Sequence, residues 1–272
     1  MGKRSKRNKV KRKLETKSLA KLGSKRPYRP PTFRDNFGNT ISAIELVFPI
    51  IRLHPDQLYE TVGTGFFVHP SGGFVTAKHC LYAGEVYDDN CYAVQTVSPG
   101  EHFIRKIQYF ESHPTADIGV GMLRGQLLHK ETQEVVLKAS FPISLTLPEI
   151  NDQISTLAYP RMQIDEGHVG TFPCDRYVGK IVDYHADGTA WLRSGCYQTD
   201  MEIKSGASGG PVIRRNQIIG VNSTSMETAH GEEPISFITP VHFVFDLQLK
   251  DSDGAITSIK ELMESGHMPF AK

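Results

Sequence analysis

The chain has 272 residues with 39% hydrophobic and 9% aromatic content, enough apolar material for one large or two small cores, which excludes disorder of the whole. Its net charge of +1 conceals two unlike parts: residues 1–26 carry 12 Lys and Arg against the single acid Glu15, a charge of +11, and the other 246 carry −10. No run is long and apolar enough to cross a bilayer, and the amino terminus lacks the apolar core of a signal peptide, so the expected location is cytoplasmic.

In chain order, the self-repulsion of residues 1–26 predicts a disordered basic arm, and Pro27, Pro30 and Pro31 end any helix and begin a linker to about residue 40. The arm suits nonspecific electrostatic contact with nucleic acid or another anionic surface; a solubilising tail and a mitochondrial-type targeting peptide are the other readings. From Ile41 the pattern turns to short strands at 44–48, 65–68, 73–76, 91–94 and 103–110, with 69–73 as a hairpin loop. Residues 117–123 close this set, and 124–142 read as a polar connection. A second set follows at 153–160, 177–184, 189–193, 211–213, 218–222 and 235–239. Ile256, Ile259, Leu262 and Met263 predict a helix within 253–266, packed on the second set.

Cys80, Cys91, Cys174 and Cys196 are too few for a disulfide scaffold and form no Cys-x-x-Cys pair, so reduced thiols are expected and no metal site is indicated. Bridges Cys80–Cys91 or Cys174–Cys196 are the alternative. His69, His102, His113, His168 and His185 read as loop or surface residues.

The chemistry concentrates in three segments. Residues 204–212 form a small-residue loop with one hydroxyl, Ser208, at its centre; 75–80 set His79 just after a strand; 116–120 set Asp117 just before one. A serine hydroxyl is a weak nucleophile until a base takes its proton, and the base needs a third group to orient it. Small residues before Ser208 let the backbone N–H groups of Gly206 and Ser208 turn inward as an oxyanion hole.

The order His79, Asp117, Ser208, with separations of 38 and 91 residues, joins Thr-Ala-Lys-His-Cys, Asp-Ile-Gly and Gly-Ala-Ser-Gly-Gly-Pro in one chain. Each is a weak motif alone; together they resemble the chymotrypsin/trypsin-like serine proteases over about residues 45–244. The resemblance implies an all-β fold of two six-stranded antiparallel β-barrels, about 41–123 and 143–245, in one domain of residues 41–272 that ends in the helix, with a substrate cleft between the barrels. It implies a serine endopeptidase acting on protein or peptide substrates, with no cofactor or metal: His79 as base, Asp117 as its orienter and Ser208 as nucleophile. Ser223, Thr224 and Ser225 match the segment that pairs with substrate backbone, and Ser223 is expected near Asp117.

Ala207 stands where zymogen-derived members carry an aspartate, so the similarity is to the bacterial trypsin-like, non-zymogen branch. Glu202, with Asp200 nearby, stands where members of basic preference carry an acid, which implies Lys or Arg at the cleaved position; a surface acid is the alternative. Two competing readings are a catalytically silent protease fold serving as a binding module, and a peptidase tethered to nucleic acid by its arm.

Overall fold

The computed structural model describes residues 32–34, 40–55, 59–98, 101–125, 139–161, 163–164, 170–226, 233–250 and 254–271. The basic arm, residues 126–138 of the expected connection, and His168 lie outside the described residues.

Six strands build the first barrel: Val47–Leu53 (β1), Tyr59–His69 (β2), Gly73–Thr76 (β3), Cys91–Ser98 (β4), Glu101–Ser112 (β5) and Gly119–Leu123 (β6). They close in the order β1-β2-β3-β6-β5-β4, every neighbouring pair antiparallel. Closure leaves no unpaired sheet edge. The interior is aromatic: Phe48 lies 4.7 Å from Phe67 and 5.6 Å from Phe74, and all three are fully buried.

The second barrel uses Gln153–Ala158 (β7), Asp175–His185 (β8), Cys196–Thr199 (β9), Pro211–Arg214 (β10), Gln217–Met226 (β11) and Ile235–Pro240 (β12). Its cyclic order, β7-β8-β9-β12-β11-β10, repeats that of the first, again antiparallel throughout. The two-residue segment Ile143–Ser144 adds to the outside of β11 in parallel, and Phe270–Ala271 adds in parallel to Ile143–Ser144. Ile154, Ile181, Val212 and Ile238 fill this barrel, while a larger cluster runs from Phe66 of barrel one through Phe141, Leu157 and Val221 at the junction to Ile259 and Met263.

Several boundaries differ from the sequence reading. Residues 32–272 form one compact unit, in which Thr32–Arg34 pairs antiparallel with Thr40–Ser42. The strand expected at 44–48 starts at Val47; Ala43–Leu46 is a 3-10 turn whose buried residues, Ala43 and Leu46, are three apart rather than two. No strand forms at 189–193, because the Thr189 hydroxyl accepts the N–H groups of Trp191 (3.3 Å) and Leu192 (3.2 Å) and satisfies locally what a ladder would. The strand lies at β9 instead.

The helix is shorter than expected, Ile259–Glu264 (α1), because Ser258 starts it: the Ser258 hydroxyl accepts the Glu261 N–H while the Glu261 carboxylate accepts the Ser258 N–H. Ile256 falls in a strand, Ile256–Ser258, paired with Gln248–Lys250. The buried residues of α1, Ile259 and Met263, belong to the cluster shared by the two barrels. Leu262 of α1 and Leu249 share a hollow with His69 and Met122 of barrel one, and the Gln248 N–H donates to Glu111 of β5 at 2.7 Å.

Candidate active site

β3 ends at Thr76 and runs into a 3-10 turn, Lys78–Cys80, which lifts His79 off the first barrel. A loop between β5 and β6 brings Asp117 to meet it. The Asp117 carboxylate accepts the His79 backbone N–H at 3.1 Å and lies 2.9 and 3.0 Å from ring Nδ1 through its two oxygens. The ring is thereby fixed with Nδ1–H toward the carboxylate and Nε2 outward. Burial, the largest influence, lowers the His79 pKa, but the hydrogen bond and charge of Asp117 together outweigh it and the ring titrates above its ordinary value.

Ser208 approaches from the second barrel on the loop before β10. That loop is strapped to both barrels. The Ser208 carbonyl accepts the Thr64 N–H of β2 at 2.8 Å and the Cys80 thiol at 3.5 Å, while the Gly209 N–H donates to Asn222 of β11 at 2.7 Å. Asn222, fully buried, also donates its side-chain amide to Ala207 O at 3.2 Å. Burial, aided by the charge of Asp117, pushes the Cys80 thiol up to about 12, so it stays a donor. All four cysteines are free thiols.

Gly206 has φ +85° and Gly209 φ +80°, a left-handed region that glycine enters without strain. A Cβ on Gly206 would lie 2.5 Å from Pro160 O, and one on Gly209 2.2 Å from Thr64 O. The N–H groups of Gly206 and Ser208, expected as the oxyanion hole, donate to no other described residue, whereas Ala207 between them donates to Lys204 O at 3.0 Å.

His79 and Ser208 line one cavity of about 680 Å³. The Ser208 hydroxyl donates to Ser223 O at 3.4 Å, and among the described residues no hydrogen bond joins it to His79. Catalytic hydrogen bonds are often long before substrate binds. Ser223, Thr224 and Ser225 form one wall. Here β11 pairs with β10 as far as Val221 and bonds Gly209 and Gly210 through the Asn222 backbone, but pairs with β12 as far as Met226, so among the described residues the strand beyond Asn222 has one edge without a ladder partner, bulged at Ser223. Ser223 borders a second hollow together with Asp117, and its hydroxyl pairs with Thr239 at 2.6 Å.

Glu202 is exposed and lines the same cavity as Ser208, where Lys204 also stands; Asp200 is turned away, accepting the Lys180 N–H at 2.7 Å. The second hollow, about 510 Å³, adjoins the His79–Asp117 pair on the other side and is walled by Trp191, 56% exposed and stacked on Phe237 with ring centroids 5.9 Å apart. Trp191 and His113 were missed from sequence: the first reads as part of a strand and the second as a loop residue. The spacing His-Pro-Thr-Ala-Asp, a side-chain acceptor just before a tight turn, is the signal that could have found His113.

Two closed barrels of one topology, with a histidine–aspartate pair on the first and a glycine-flanked serine from the second at their junction, define the double-barrel chymotrypsin-like class. Residues 53–247 match the family described as Trypsin, and the chain belongs to that family. No curated relative matches it. Among solved structures, M. tuberculosis Rv3671c in an inactive serine-to-alanine form is similar with a TM-score of 0.48 and 15% identity over 74% of this chain and 84% of that one, a likeness too distant to carry an argument. Among the described residues no helix is long and apolar enough to cross a membrane.

Proposed function

We propose that this protein is a serine endopeptidase. The observation that carries the reading is the double grip of Asp117 on His79, through the backbone N–H and through Nδ1, which leaves Nε2 free of Asp117 on a ring that lines the same cavity as Ser208. In this mechanism Ser208 Oγ attacks the scissile carbonyl, His79 Nε2 takes its proton and returns it to the leaving amine, and Asp117 stabilises the imidazolium. The free amides of Gly206 and Ser208 receive the oxyanion; loss of one such donor typically costs ~10²–10³ in turnover. An extended substrate adds to the open edge of β11 at Ser223–Ser225. Glu202 favours Lys or Arg at the cleaved position, which Glu202→Gln would weaken.

Labelling by a fluorophosphonate probe, lost in Ser208→Ala with the melting temperature retained, is the expected result. Absence of labelling in the intact chain would leave a protease fold that binds without cutting. The arm supports one addition from its charge of +11: contact with nucleic acid that weakens as salt rises and disappears when residues 1–26 are deleted. Equal binding with and without the arm overturns that addition.

A further inference from the structure

The loop that delivers Asp117 is organised by a side chain that touches none of the reacting groups. His113 follows β5, and its backbone N–H donates to Ile118 O at 2.9 Å, closing the turn that leads into β6. Its ring then folds over that turn. Nδ1 accepts the N–H of Ala116 at 2.9 Å and of Thr115 at 3.2 Å, with the Thr115 hydroxyl 3.4 Å away. A nitrogen that accepts two N–H bonds carries its lone pair there, so the neutral ring has its proton on Nε2.

The ring also lies against Phe243, with centroids 5.0 Å apart, on the 3-10 turn Val241–Val244 that follows β12. Among the described residues, three other titratable or charged groups act on it: Lys78 from the turn that carries His79, and His242 and Asp246 from the segment after β12. Burial first, and Lys78 with it, outweighs Asp246 and holds the ring below its ordinary value, so it remains neutral where His79 is also neutral.

We infer that His113 is a positioning residue for the Asp117–His79 pair: by capping the amides of Thr115 and Ala116 through Nδ1, it fixes the direction in which the Asp117 carboxylate meets the His79 ring. The cap acts within four residues of Asp117, and the carboxylate's two-atom hold on Nδ1 depends on where that turn places it. The catalytic consequence rests on the endopeptidase reading; the effect on the pair does not.

The test is NMR titration of the His79 imidazole in the full chain and in two variants. His113→Phe keeps a ring against Phe243 but has no acceptor. His113→Asn gives up the ring but places an oxygen near the Nδ1 position, where it accepts N–H groups two and three residues on. His79 should titrate above its ordinary value in the native chain, fall toward it in His113→Phe and return in His113→Asn. Where the chain is labelled by the fluorophosphonate, kcat should fall by about 10² in the Phe variant with KM little changed, the loss expected of a small misplacement.

An unchanged His79 titration in the Phe variant, or no return in the Asn variant, overturns the inference. So does a proton on Nδ1 of neutral His113 in the native chain, a measurement that needs no variant. No labelling of any variant would sink the endopeptidase reading while the titration still decides the role of His113.

Discussion

Thr64 of the first barrel donates its N–H to the carbonyl of Ser208 at 2.8 Å, so the serine that belongs to the second barrel hangs on the first. The same contact brings Gly209 against Thr64 O and the Thr76 hydroxyl, each 2.2 Å from where a Cβ would stand. Gly209→Ala is therefore expected to part the strap. It costs about 1–3 kcal/mol for the left-handed backbone alone, with more from the clash. Chemical denaturation should report that loss, and fluorophosphonate labelling should fall further than stability does. Full labelling at normal stability would mean the strap does not set the loop.

Activity and stability should respond to the His79–Asp117 pair in opposite senses. The base must be neutral, so activity falls as pH drops through the raised His79 pKa. A pKa raised by folding means the folded chain holds that proton more tightly. The stabilisation is then fully present below the unfolded value, near 6.5, and is lost as pH rises through the folded one. Asp117→Asn should remove the low-pH stabilisation and lower kcat by about 10⁴ at neutral pH. Parallel kcat and thermal-melt profiles against pH check both; profiles that move together would contradict the assignment.

The chain holds a single tryptophan, Trp191, in the wall of the hollow beside the His79–Asp117 pair. Peptide binding to the Ser208→Ala protein should shift its emission to shorter wavelength as substrate covers the exposed indole. Emission unchanged at saturating peptide would place the substrate's upstream residues elsewhere.

Arg214, 8% exposed, binds Asp152 at 2.6 Å and the carbonyls of Leu147 and Thr146 at 3.1 and 3.3 Å, fastening the loop before β7 to β10. Asp152→Ala leaves the guanidinium without its counter-charge. Because the carboxylate is partly solvated, the expected loss is about 1–2 kcal/mol, below the range for fully buried pairs. The Glu149 N–H and then Arg214 hold the Asp152 pKa below its ordinary value, so its contribution is present above the unfolded value and disappears as pH falls through the folded one, in the acid range below about pH 4. Denaturant midpoints of the two proteins should differ at pH 7 and converge in acid; a constant difference would assign the loss to packing.

Much of the fold and of the candidate site was legible in the sequence because His79, Asp117 and Ser208 sit in short local motifs. The Ser-Gly-Gly-Pro turn and the runs beside His79 and Asp117 carry their own backbone preferences, and short β-like runs bounded by turn residues, such as 65–68 in β2 and 218–222 in β11, announce themselves. What was missed depends on side chains bonding to nearby backbone. Thr189 turned an expected strand into a loop, Ser258 with Glu261 moved the helix start, and His113 gained its role from two amides that only a folded turn presents. The Ser-x-x-Glu spacing at 258–261 was readable and would have placed the helix correctly. No composition or spacing argument says that Leu262 of α1 shares a hollow with Met122 of barrel one, because that depends on packing in space.

The core that joins the barrels includes Ile259, Met263 and Met268, and the Ile143 N–H bonds to Pro269 O at 3.1 Å. The packing that unites the two barrels therefore draws on side chains far along the sequence from His79, Asp117 and Ser208, and a substitution among them loosens the junction without touching any of the three.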